Sequence, residues 1–254
     1  MNSINILEVR IDDIDEEFFL KHVDKLIQSG KQFFVTTPNP EMLVLASKDQ
    51  EFGHILNAST INIPDGVGLK FGARILGRKL NNRVTGTDSM FNILRLAEKK
   101  NYSVYFLGGG VEVARDTAKK FKKYLPKINI VGAEQGSDGE MSFDKWDNEV
   151  IVKHINSVKP DILFVALGHY KQEKWIFDNL KKLKTVKLAM GVGGAFDFYS
   201  GRAERAPEHI QSSGFEWLWR LFKEPHRYKR IFTAVIVFPW KCFVERLLNK
   251  KPQR

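Results

Sequence analysis

Short apolar runs alternate with amphipathic stretches along most of this chain of 254 residues. The apolar runs have the length and composition of buried β-strands, and they lie at Gln32–Thr36, Thr60–Ile63, Ser103–Leu107, Ile128–Ala133, Ile162–Ala166 and Val186–Met190. Apolar residues recur at helical spacing in Glu16–Gln28, Glu41–Leu56, Gly66–Leu76, Ser89–Lys99, Val113–Tyr124, Lys145–Ser157 and Glu173–Leu183. This alternation predicts an α/β fold, with a Rossmann-like, mostly parallel sheet and helices on both of its faces.

The loops that follow the predicted strands are the candidate ligand-binding loops. Ligands of such sheets bind beyond the carboxyl ends of the strands. The exits begin at residues 37, 64, 108, 134, 168 and 191, and all of them are rich in glycine, proline or small polar residues. We therefore expect this edge of the sheet to allow close approach of the backbone to a ligand.

The last fifth of the chain has a different pattern. An aromatic-rich stretch, Ser212–Arg220, predicts a helix that ends at Glu224-Pro225, because the residue before a proline disfavours the α conformation. A last helix is predicted over His226–Asn249. We therefore expect an α/β domain over residues 1–201 and a basic helical appendage over residues 202–254.

The net charge of +10 is concentrated in that appendage, since residues 202–254 carry +7 and residues 1–201 carry +3. A basic segment indicates polyanionic partners such as nucleic acid, acidic lipid or a phosphorylated substrate. The single Cys242 excludes a disulfide framework and a multi-cysteine zinc site. The N-terminus does not resemble a signal peptide and no apolar run is long enough to span a membrane, so we expect a cytoplasmic protein.

The glycines Gly108-Gly109-Gly110 follow a predicted strand and open a predicted helix, where backbone amides can bind phosphate. They match half of the dinucleotide-binding fingerprint, because Val113 stands where its third glycine belongs. Glu134 lies near the expected place of a ribose-binding acid. A phosphate contact, a plain tight turn and an NAD site all stay open, whereas the absence of Gly-Lys-Ser/Thr excludes a P-loop.

Asp65 is the leading candidate for acid–base chemistry, because it directly follows a predicted strand in a Pro-Asp-Gly turn. A carboxylate above a glycine-rich cleft suits a general base, but in such turns it often only shapes the backbone. Asn39, followed by Pro40 and Glu41, is typical of a helix N-cap, and Thr37 and Asn39 are also placed to face the cleft. No paired histidines, no Asp-x-Asp at the exit of a predicted strand and no Gly-x-Ser-x-Gly occur, which predicts neither a metal site nor a serine hydrolase.

Basic residues of the appendage recur three or four residues apart and would form one cationic stripe on a continuous helix: Arg220, Lys223, Arg227 and Arg230. Pro225 interrupts that continuity, and a solvated charged face is the alternative. The apolar run Ile231–Trp240 follows directly. Basic residues beside an apolar run describe a helix at a membrane surface, with a buried core or dimer helix as the competing interpretation.

A series of motifs in fixed order resembles the WecG/TagA/CpsF family of glycosyltransferases over roughly residues 5–235. The motifs are Thr37-Pro38-Asn39, Pro64-Asp65-Gly66, Arg83-Val84-Thr85-Gly86-Thr87-Asp88, Leu107-Gly108-Gly109, Leu167-Gly168, Lys171-Gln172-Glu173, Gly191-Val192-Gly193-Gly194, Phe196-Asp197, Ser200-Gly201 and Arg202-Ala203-Glu204-Arg205-Ala206-Pro207. One departure is His169-Tyr170, where a Cys-Pro or Thr-Pro type pair is expected.

The resemblance implies an inverting transferase. The lack of a metal-binding pattern at the strand exits predicts that it is metal-independent, and we expect no cofactor. It implies transfer of N-acetylmannosamine, or a related sugar, from a UDP donor to undecaprenyl-pyrophosphate-linked N-acetylglucosamine, in wall teichoic acid or other envelope polysaccharide synthesis. Asp65 is the implied catalytic base, and the appendage is expected to meet the lipid pyrophosphate at the anionic inner face of the cell membrane. The substrate-binding residues are expected to be Thr37, Asn39, Arg83, Gly109, Gln135, Gln172, Arg220, Arg227 and Arg230.

Two functions of other classes stay open from the residues alone. A non-catalytic nucleotide- or nucleic-acid-binding module would spread its basic charge over the sheet edge and would not need Asp65. An NAD-dependent oxidoreductase would need Glu134 beside a ribose. We favour the transferase, expect no nucleic-acid partner, and allow a homo-oligomer.

Overall fold

All six predicted strands lie in one parallel sheet of the computed structural model, which describes residues 2–135 and 145–249. The strands are β1 (Ser3–Ile6), β2 (Val9–Asp12), β3 (Phe33–Thr36), β4 (Ile61–Asn62), β5 (Ser103–Gly108), β6 (Asn129–Glu134), β7 (Ile162–Ala166) and β8 (Leu188–Gly191). The sheet order is β4-β3-β8-β7-β5-β6, and every neighbouring pair is parallel. The predicted α/β fold is confirmed.

The predicted helices between the strands also form, with one exception. The helices are α1 (Glu16–Gln28), α2 (Pro40–Ala46), α3 (Gln50–Ala58), α4 (Val67–Ile75), α5 (Gly86–Lys100), α6 (Val113–Tyr124), α7 (Lys145–Val158), α8 (Lys171–Asn179), α9 (Ala195–Ser200), α10 (Glu208–Ser213), α11 (Glu216–Lys223), α12 (Tyr228–Phe232) and α13 (Phe238–Asn249). The single helix predicted over Glu41–Leu56 is wrong. The chain leaves α2 at Ser47, and Asp49 caps α3 by accepting a hydrogen bond from the Phe52 N–H at 3.0 Å.

The two faces of the sheet are covered by different helices. Side chains alternate between faces along each strand, so neighbouring residues of β5 enter different cores. Phe106 packs with residues of α1, α5 and α6, whereas Tyr105 packs with residues of α7 and α8. This two-sided burial explains why the strands are almost entirely apolar.

The N-terminal hairpin of β1 and β2 is an element that the sequence pattern did not predict. Its turn uses Leu7 and Glu8 at φ values of 49° and 65°, a left-handed conformation usually left to glycine or asparagine. The turn therefore carries no glycine signal in the sequence. Ile6, Val9 and Ile11 are nevertheless fully buried, in a third core with α2, α3 and α4.

The C-terminal helices, residues 208–249, are tied to that third core. The predicted helix break is confirmed, because α11 ends at Lys223 and a 3₁₀ turn follows over Pro225–Arg227. A π-helical turn, Thr233–Val237, joins α12 to α13. Phe238 lies against α4 at Gly72, where an added Cβ would come within 2.5 Å of its ring. No helix among residues 2–135 and 145–249 is long and apolar enough to cross a membrane.

Candidate active site

One cavity of about 390 Å³ opens at the carboxyl edge of the sheet, between the exits of β3 and β4 and the C-terminal helices. The β3 and β4 exits supply one wall, and helices α11 to α13 supply the opposite wall. The charged and polar residues that line it include Asn39, Glu41, Asp65, Thr85, Thr87, Arg205, Glu216, Arg220, Arg227 and Arg230. Its apolar lining includes Val67, Phe71, Trp217, Ile231, Ala234, Val235 and Pro239. We name it the Asp65 cavity.

The backbone fixes Asp65 at this edge. Its N–H donates to the Pro38 carbonyl at 3.1 Å, which joins the exits of β3 and β4. Its carboxylate accepts a hydrogen bond from the Gly86 N–H, at the first residue of α5. Asp65 therefore both shapes the turn after β4 and lines the cavity, so the two interpretations of this residue are compatible.

The electrostatic surroundings of Asp65 favour its protonated form. Burial is the largest cause, and the neighbouring Glu216 carboxylate adds to it, so that the pKa of Asp65 is raised to about 6. Arg220 and Arg83 act in the opposite direction and lower the pKa. A carboxylate with a pKa close to neutrality is matched to general acid–base catalysis.

The predicted N-cap at Asn39 is confirmed. Its Oδ1 accepts a hydrogen bond from the Met42 N–H at 3.1 Å, and Pro40 is the first residue of α2. Asn39 also lines the Asp65 cavity, so capping and a place in the cleft are compatible. Thr37 is buried, with its side chain packed near Gly86.

Arg220 brings a desolvated positive charge to the cavity. Its guanidinium lies over the ring of Phe198, 4.6 Å from the centroid, and burial lowers its pKa. Its buried Nε has no hydrogen-bond partner among the described residues. Arg220 and Arg227 also line a second cavity of about 390 Å³ beside Asp197. A half-buried guanidinium with an unpaired Nε–H donor is suited to bind an anion.

Arg230 is held by two residues from the sheet edge. Its Nε lies 3.0 Å and 2.9 Å from the two carboxylate oxygens of Glu41, and its Nη2 lies 2.9 Å from His169 Nδ1. His169 Nε2 lies 3.3 Å from Glu41. The residue that departs from the family pattern therefore contacts the C-terminal helices.

The predicted stripe of basic residues does not lie on one continuous helix, because the 3₁₀ turn at Pro225–Arg227 interrupts it. Arg227 forms an ion pair with Glu224 and lines the Asp65 cavity. Lys223 instead pairs with Glu204 at 2.9 Å and lines the second cavity. Arg220, Arg227 and Arg230 therefore line the Asp65 cavity, whereas Lys223 lines the second cavity.

Arg83 contacts the C-terminal helices. Its Nη1 donates to the Gln211 carbonyl at 2.8 Å, and its Nη2 lies 3.9 Å from the Glu216 carboxylate. Its Nε is buried without a hydrogen-bond partner in the described part of the chain. The positive charge of Arg83 lies close enough to Asp65 to act toward lowering the pKa of that carboxyl.

Arg205 is a cavity residue that the sequence reasoning did not select, although its Arg-Ala-Glu-Arg-Ala-Pro motif was the available signal. Its Nη1 lies 2.6 Å from Asp88, whose carboxylate also accepts a hydrogen bond from the Thr85 hydroxyl at 2.6 Å. Burial acts to raise the pKa of Asp88, but Arg205 and Thr85 hold it below its usual value.

Three other predicted binding residues lie elsewhere along the strand exits. The Gly109 N–H donates to the Ala166 carbonyl at 2.7 Å. Gln172 is buried, and its Oε1 accepts a hydrogen bond from the Gly193 N–H at 3.0 Å. Gln135 lines a separate cavity of about 440 Å³. Of the predicted residues, Asp65, Asn39, Arg220, Arg227 and Arg230 therefore line one cavity, whereas Thr37 and Arg83 are not among its lining residues.

The Asp65 cavity combines a carboxylate whose pKa is near neutrality with several guanidinium groups. The carboxylate can accept a proton from a hydroxyl, and the guanidinium groups can stabilise a leaving diphosphate. Among residues 2–135 and 145–249, no three His, Cys, Asp or Glu side chains are grouped so that they could hold a metal ion. The positively charged side chains in the lining of the Asp65 cavity are arginines.

Comparisons with known proteins agree with this chemistry. The model of the family described as "Glycosyl transferase WecG/TagA/CpsF family" matches residues 4–252. A relative from Bacillus subtilis (strain 168) is 33% identical over 78% of this chain and 75% of its own length. Relatives from Bacillus spizizenii and Staphylococcus aureus (strain MRSA252) are 30% and 28% identical, over 88% and 98% of this chain and 85% and 95% of their own lengths. All three are named N-acetylglucosaminyldiphosphoundecaprenol N-acetyl-beta-D-mannosaminyltransferase.

Proposed function

Because this chain belongs to the WecG/TagA/CpsF family of glycosyl transferases, we propose that it transfers N-acetylmannosamine to N-acetylglucosaminyl-diphosphoundecaprenol. The donor is a UDP-sugar, as the family resemblance implies. The observation that carries the proposal is a single cavity in which Asp65, with its pKa near 6, faces Arg220 and Arg227. Such a pairing supplies both a base and an anion site.

Asp65 acts as the general base. A hydroxyl of the acceptor sugar attacks the anomeric carbon of the donor while its proton passes to the Asp65 carboxylate. A bond forms between that oxygen and the anomeric carbon, and the bond from the anomeric carbon to the UDP oxygen breaks. Attack from the side opposite the leaving group inverts the anomeric configuration.

The arginines stabilise the charges of the two diphosphates. The departing UDP gains negative charge as its bond to the sugar breaks, and a desolvated guanidinium such as Arg220 stabilises that charge strongly. Arg205, Arg227 and Arg230 line the same cavity. Each is paired with a carboxylate, and the remaining N–H groups of each guanidinium can bind the acceptor diphosphate. Arg83 has a positioning role, because its contacts with Gln211 and Glu216 hold α10 and α11 beside the site.

Membrane association is a further part of the proposal. Exposed apolar side chains form one stripe along α12, the π-helical turn Thr233–Val237 and α13, at Phe232, Ile236, Trp240, Phe243 and Leu247. Their spacing of three or four residues places them on one helical face. Lys229 and Lys241 lie beside this stripe in the sequence. We propose that this apolar stripe rests on the inner face of the cell membrane, where the lipid-linked acceptor is found.

A transfer assay tests the proposed reaction. UDP-N-acetylmannosamine, UDP-N-acetylglucosamine and UDP-glucose are each offered with a short-chain lipid-diphosphate N-acetylglucosamine acceptor. We expect transfer from UDP-N-acetylmannosamine, and we expect it to persist in EDTA. Transfer that is lost in EDTA and restored by Mg²⁺ or Mn²⁺ would contradict metal independence, and no transfer from any donor would contradict the proposed reaction.

Nucleotide-dependent stabilisation separates the transferase from the two other functions. A ligand that binds the native state raises the melting temperature. We expect UDP to raise it and NAD to leave it unchanged. Stabilisation by NAD alone would instead favour an oxidoreductase.

A further inference from the structure

The Asp65 cavity has a polar half and an apolar half. The polar half contains Asp65 and the arginines already described. The apolar half is formed by α4, α11 and the C-terminal helices, through Val67, Phe71, Trp217, Ile231, Val235 and Pro239. Neither the base nor the diphosphate-binding residues require an apolar wall, so this half has no part in the proposed chemistry.

The apolar half consists of two rows of side chains. Val67 and Phe71 are four residues apart on α4, and Ile231, Val235 and Pro239 recur every four residues in the C-terminal helices. Residues at this spacing share one helical face. The second row crosses the π-helical turn Thr233–Val237, a local widening that is frequent at functional sites.

The adjacent face of α4, at Gly68 and Gly72, is closely packed and holds the first row in place. Gly72 allows Phe238 to approach, and Gly68 lies against Pro40, where an added Cβ would come within 2.6 Å of the proline ring. Close packing on this face leaves Val67 and Phe71 to face the cavity. The close packing of α4 therefore fixes the position of Phe71, although about half of the Phe71 side chain is exposed.

The apolar half opens toward the molecular surface. The Phe71 side chain is 53% exposed and Val235 is 38% exposed, although both line the cavity. Ile236, the next residue after Val235, belongs to the apolar stripe that we propose to meet the membrane. The apolar lining of the cavity and that stripe therefore meet at two consecutive residues, Val235 and Ile236.

We propose that this apolar half binds the first isoprene units of the acceptor's polyprenyl chain, next to its diphosphate. The inference rests on the proposed function and specifies how the lipid part of that substrate is recognised. A diphosphate esterified to a hydrocarbon chain is an amphiphile, and the cavity offers guanidinium groups on one side and apolar side chains on the other. The chain then leaves between Phe71 and Val235 toward the membrane.

The position of the reacting sugar follows from this arrangement. With the diphosphate on the arginines and the chain on the apolar rows, the N-acetylglucosamine unit is directed toward Asp65. Contact with the hydrocarbon thus helps to orient the acceptor hydroxyl, because burial of apolar surface fixes one end of the substrate. Phe71, Trp217 and Val235 are specificity-determining residues in this account.

Acceptors that differ only in their alcohol test the inference without a membrane. N-acetylglucosamine diphosphate esterified to methanol, to a two-isoprene alcohol and to a three-isoprene alcohol is assayed in detergent-free buffer, below the concentration at which the longest one forms micelles. We expect KM to fall by on the order of tenfold or more from the methyl ester to the two-isoprene ester, because each buried methylene favours binding. We expect the third isoprene to add less, and kcat to change less than KM.

Phe71→Ala and Val235→Ala connect this dependence to the apolar half. Each is expected to raise KM for the two-isoprene ester by roughly three- to tenfold and to leave KM for the methyl ester within about twofold. Phe222→Ala is the matched control, because Phe222 is 76% exposed on α11 and does not line the cavity. Equal melting temperatures of the variants confirm that the fold is unchanged.

The outcomes separate this inference from the proposed function. If all three esters are used with equal KM, the transferase function stands and the chain-binding role is wrong. If Phe71→Ala raises KM equally for the methyl and two-isoprene esters, the residue shapes the cavity and does not contact the chain. If no ester is used while UDP-sugar binds, the proposed acceptor is wrong, and the inference falls with it.

Discussion

The parallel sheet and the C-terminal helices both contain long apolar side chains, but they place them in opposite environments. Every residue of β7, Ile162–Ala166, is buried. The side chains of the apolar stripe, from Phe232 in α12 through the π-helical turn to Leu247 in α13, are 44–64% exposed. The sheet covers its apolar surface with its own helices, whereas the C-terminal helices leave theirs available.

The same comparison holds within one helix. In α13, Phe238 and Cys242 are fully buried against α4, while Trp240 and Phe243 are exposed. The buried face attaches the C-terminal helices to the body of the protein, and the side chains of the other face are largely exposed to solvent. Contiguous exposed apolar surface of this kind marks an interaction site. The difference in exposure between the two faces therefore separates residues that stabilise the fold from residues that are accessible to a binding partner.

Asp65 lies where the two regions meet, and its substitution is expected to have the largest effect. Asp65→Asn removes the base, so turnover should fall by on the order of 10²–10⁴ while UDP affinity changes little. Steady-state kinetics and UDP binding measure the two quantities. Asp178→Asn, on the exposed surface of α8, is the control. Near-normal turnover of Asp65→Asn would show that this carboxylate only shapes its turn.

Substitution of two phenylalanines in the C-terminal helices, one buried and one exposed, tests whether the two kinds of apolar residue differ in their contribution to stability. Phe238→Ala should lower the free energy of unfolding by about 3–5 kcal/mol, because it leaves a cavity against α4. Phe232→Ala should change it by no more than about 0.5 kcal/mol, because the side chain is exposed. Urea denaturation measures both. Equal losses would show that the exposed stripe is part of a packed core.

Liposome co-sedimentation tests the exposed face. We expect the full chain to bind anionic liposomes at low salt and to bind less at high salt, since each Lys or Arg near such a surface contributes about 1 kcal/mol. Replacing Ile236 and Trp240 with serine should weaken binding without lowering the melting temperature. If the full chain stays in the supernatant with anionic liposomes, the stripe serves another contact, such as one between copies of the chain.

Deleting residues 202–254 is a less selective test of the same region. The sequence predicts that the remaining sheet domain folds, binds UDP and loses transfer. The structure adds a consequence, because the deletion also removes Phe238 and Cys242 from the third core. We therefore expect a stability loss alongside the loss of transfer, and the serine variants separate the two effects.

The smallest expected effect concerns pH. The base works when ionised, so turnover should rise with pH through the Asp65 pKa of about 6 and then level off. Glu216→Gln removes a neighbouring negative charge and should lower that pKa, which raises relative turnover at pH 5 by roughly two- to threefold. Arg220→Gln should shift the profile in the opposite direction. An unchanged profile in both variants would place the titrating group elsewhere.

The raised pKa of Asp65 also has a consequence for stability. The folded state binds this proton more tightly than the unfolded state, whose carboxyl has a pKa near 3.8. The contribution of Asp65 to stability is therefore most favourable below about pH 4 and is lost as the pH rises through about 6. Asp65→Asn should remove this dependence in urea denaturation at pH 5 and pH 7.

The sequence by itself determined the sheet and the edge at which the Asp65 cavity opens. Near-continuous apolar runs such as Ile162–Ala166 form strands only when both faces are covered, so the parallel sheet followed from composition and spacing. The Asn39 cap and the Asp65 turn are local features, and local sequence was sufficient for both. The β1–β2 hairpin was missed because Leu7 and Glu8 give no turn signal.

Only the tertiary structure decided which predicted residues share a cavity. Arg220, Arg227 and Arg230 converge across a helix break, and Arg205 joins them from another segment, because packing brings distant parts of the chain together. The pKa of Asp65 depends on burial and on Glu216, which lies 151 positions away in the sequence. Exposure divided the apolar residues of α13 into two faces, since burial depends on which surfaces meet rather than on hydropathy.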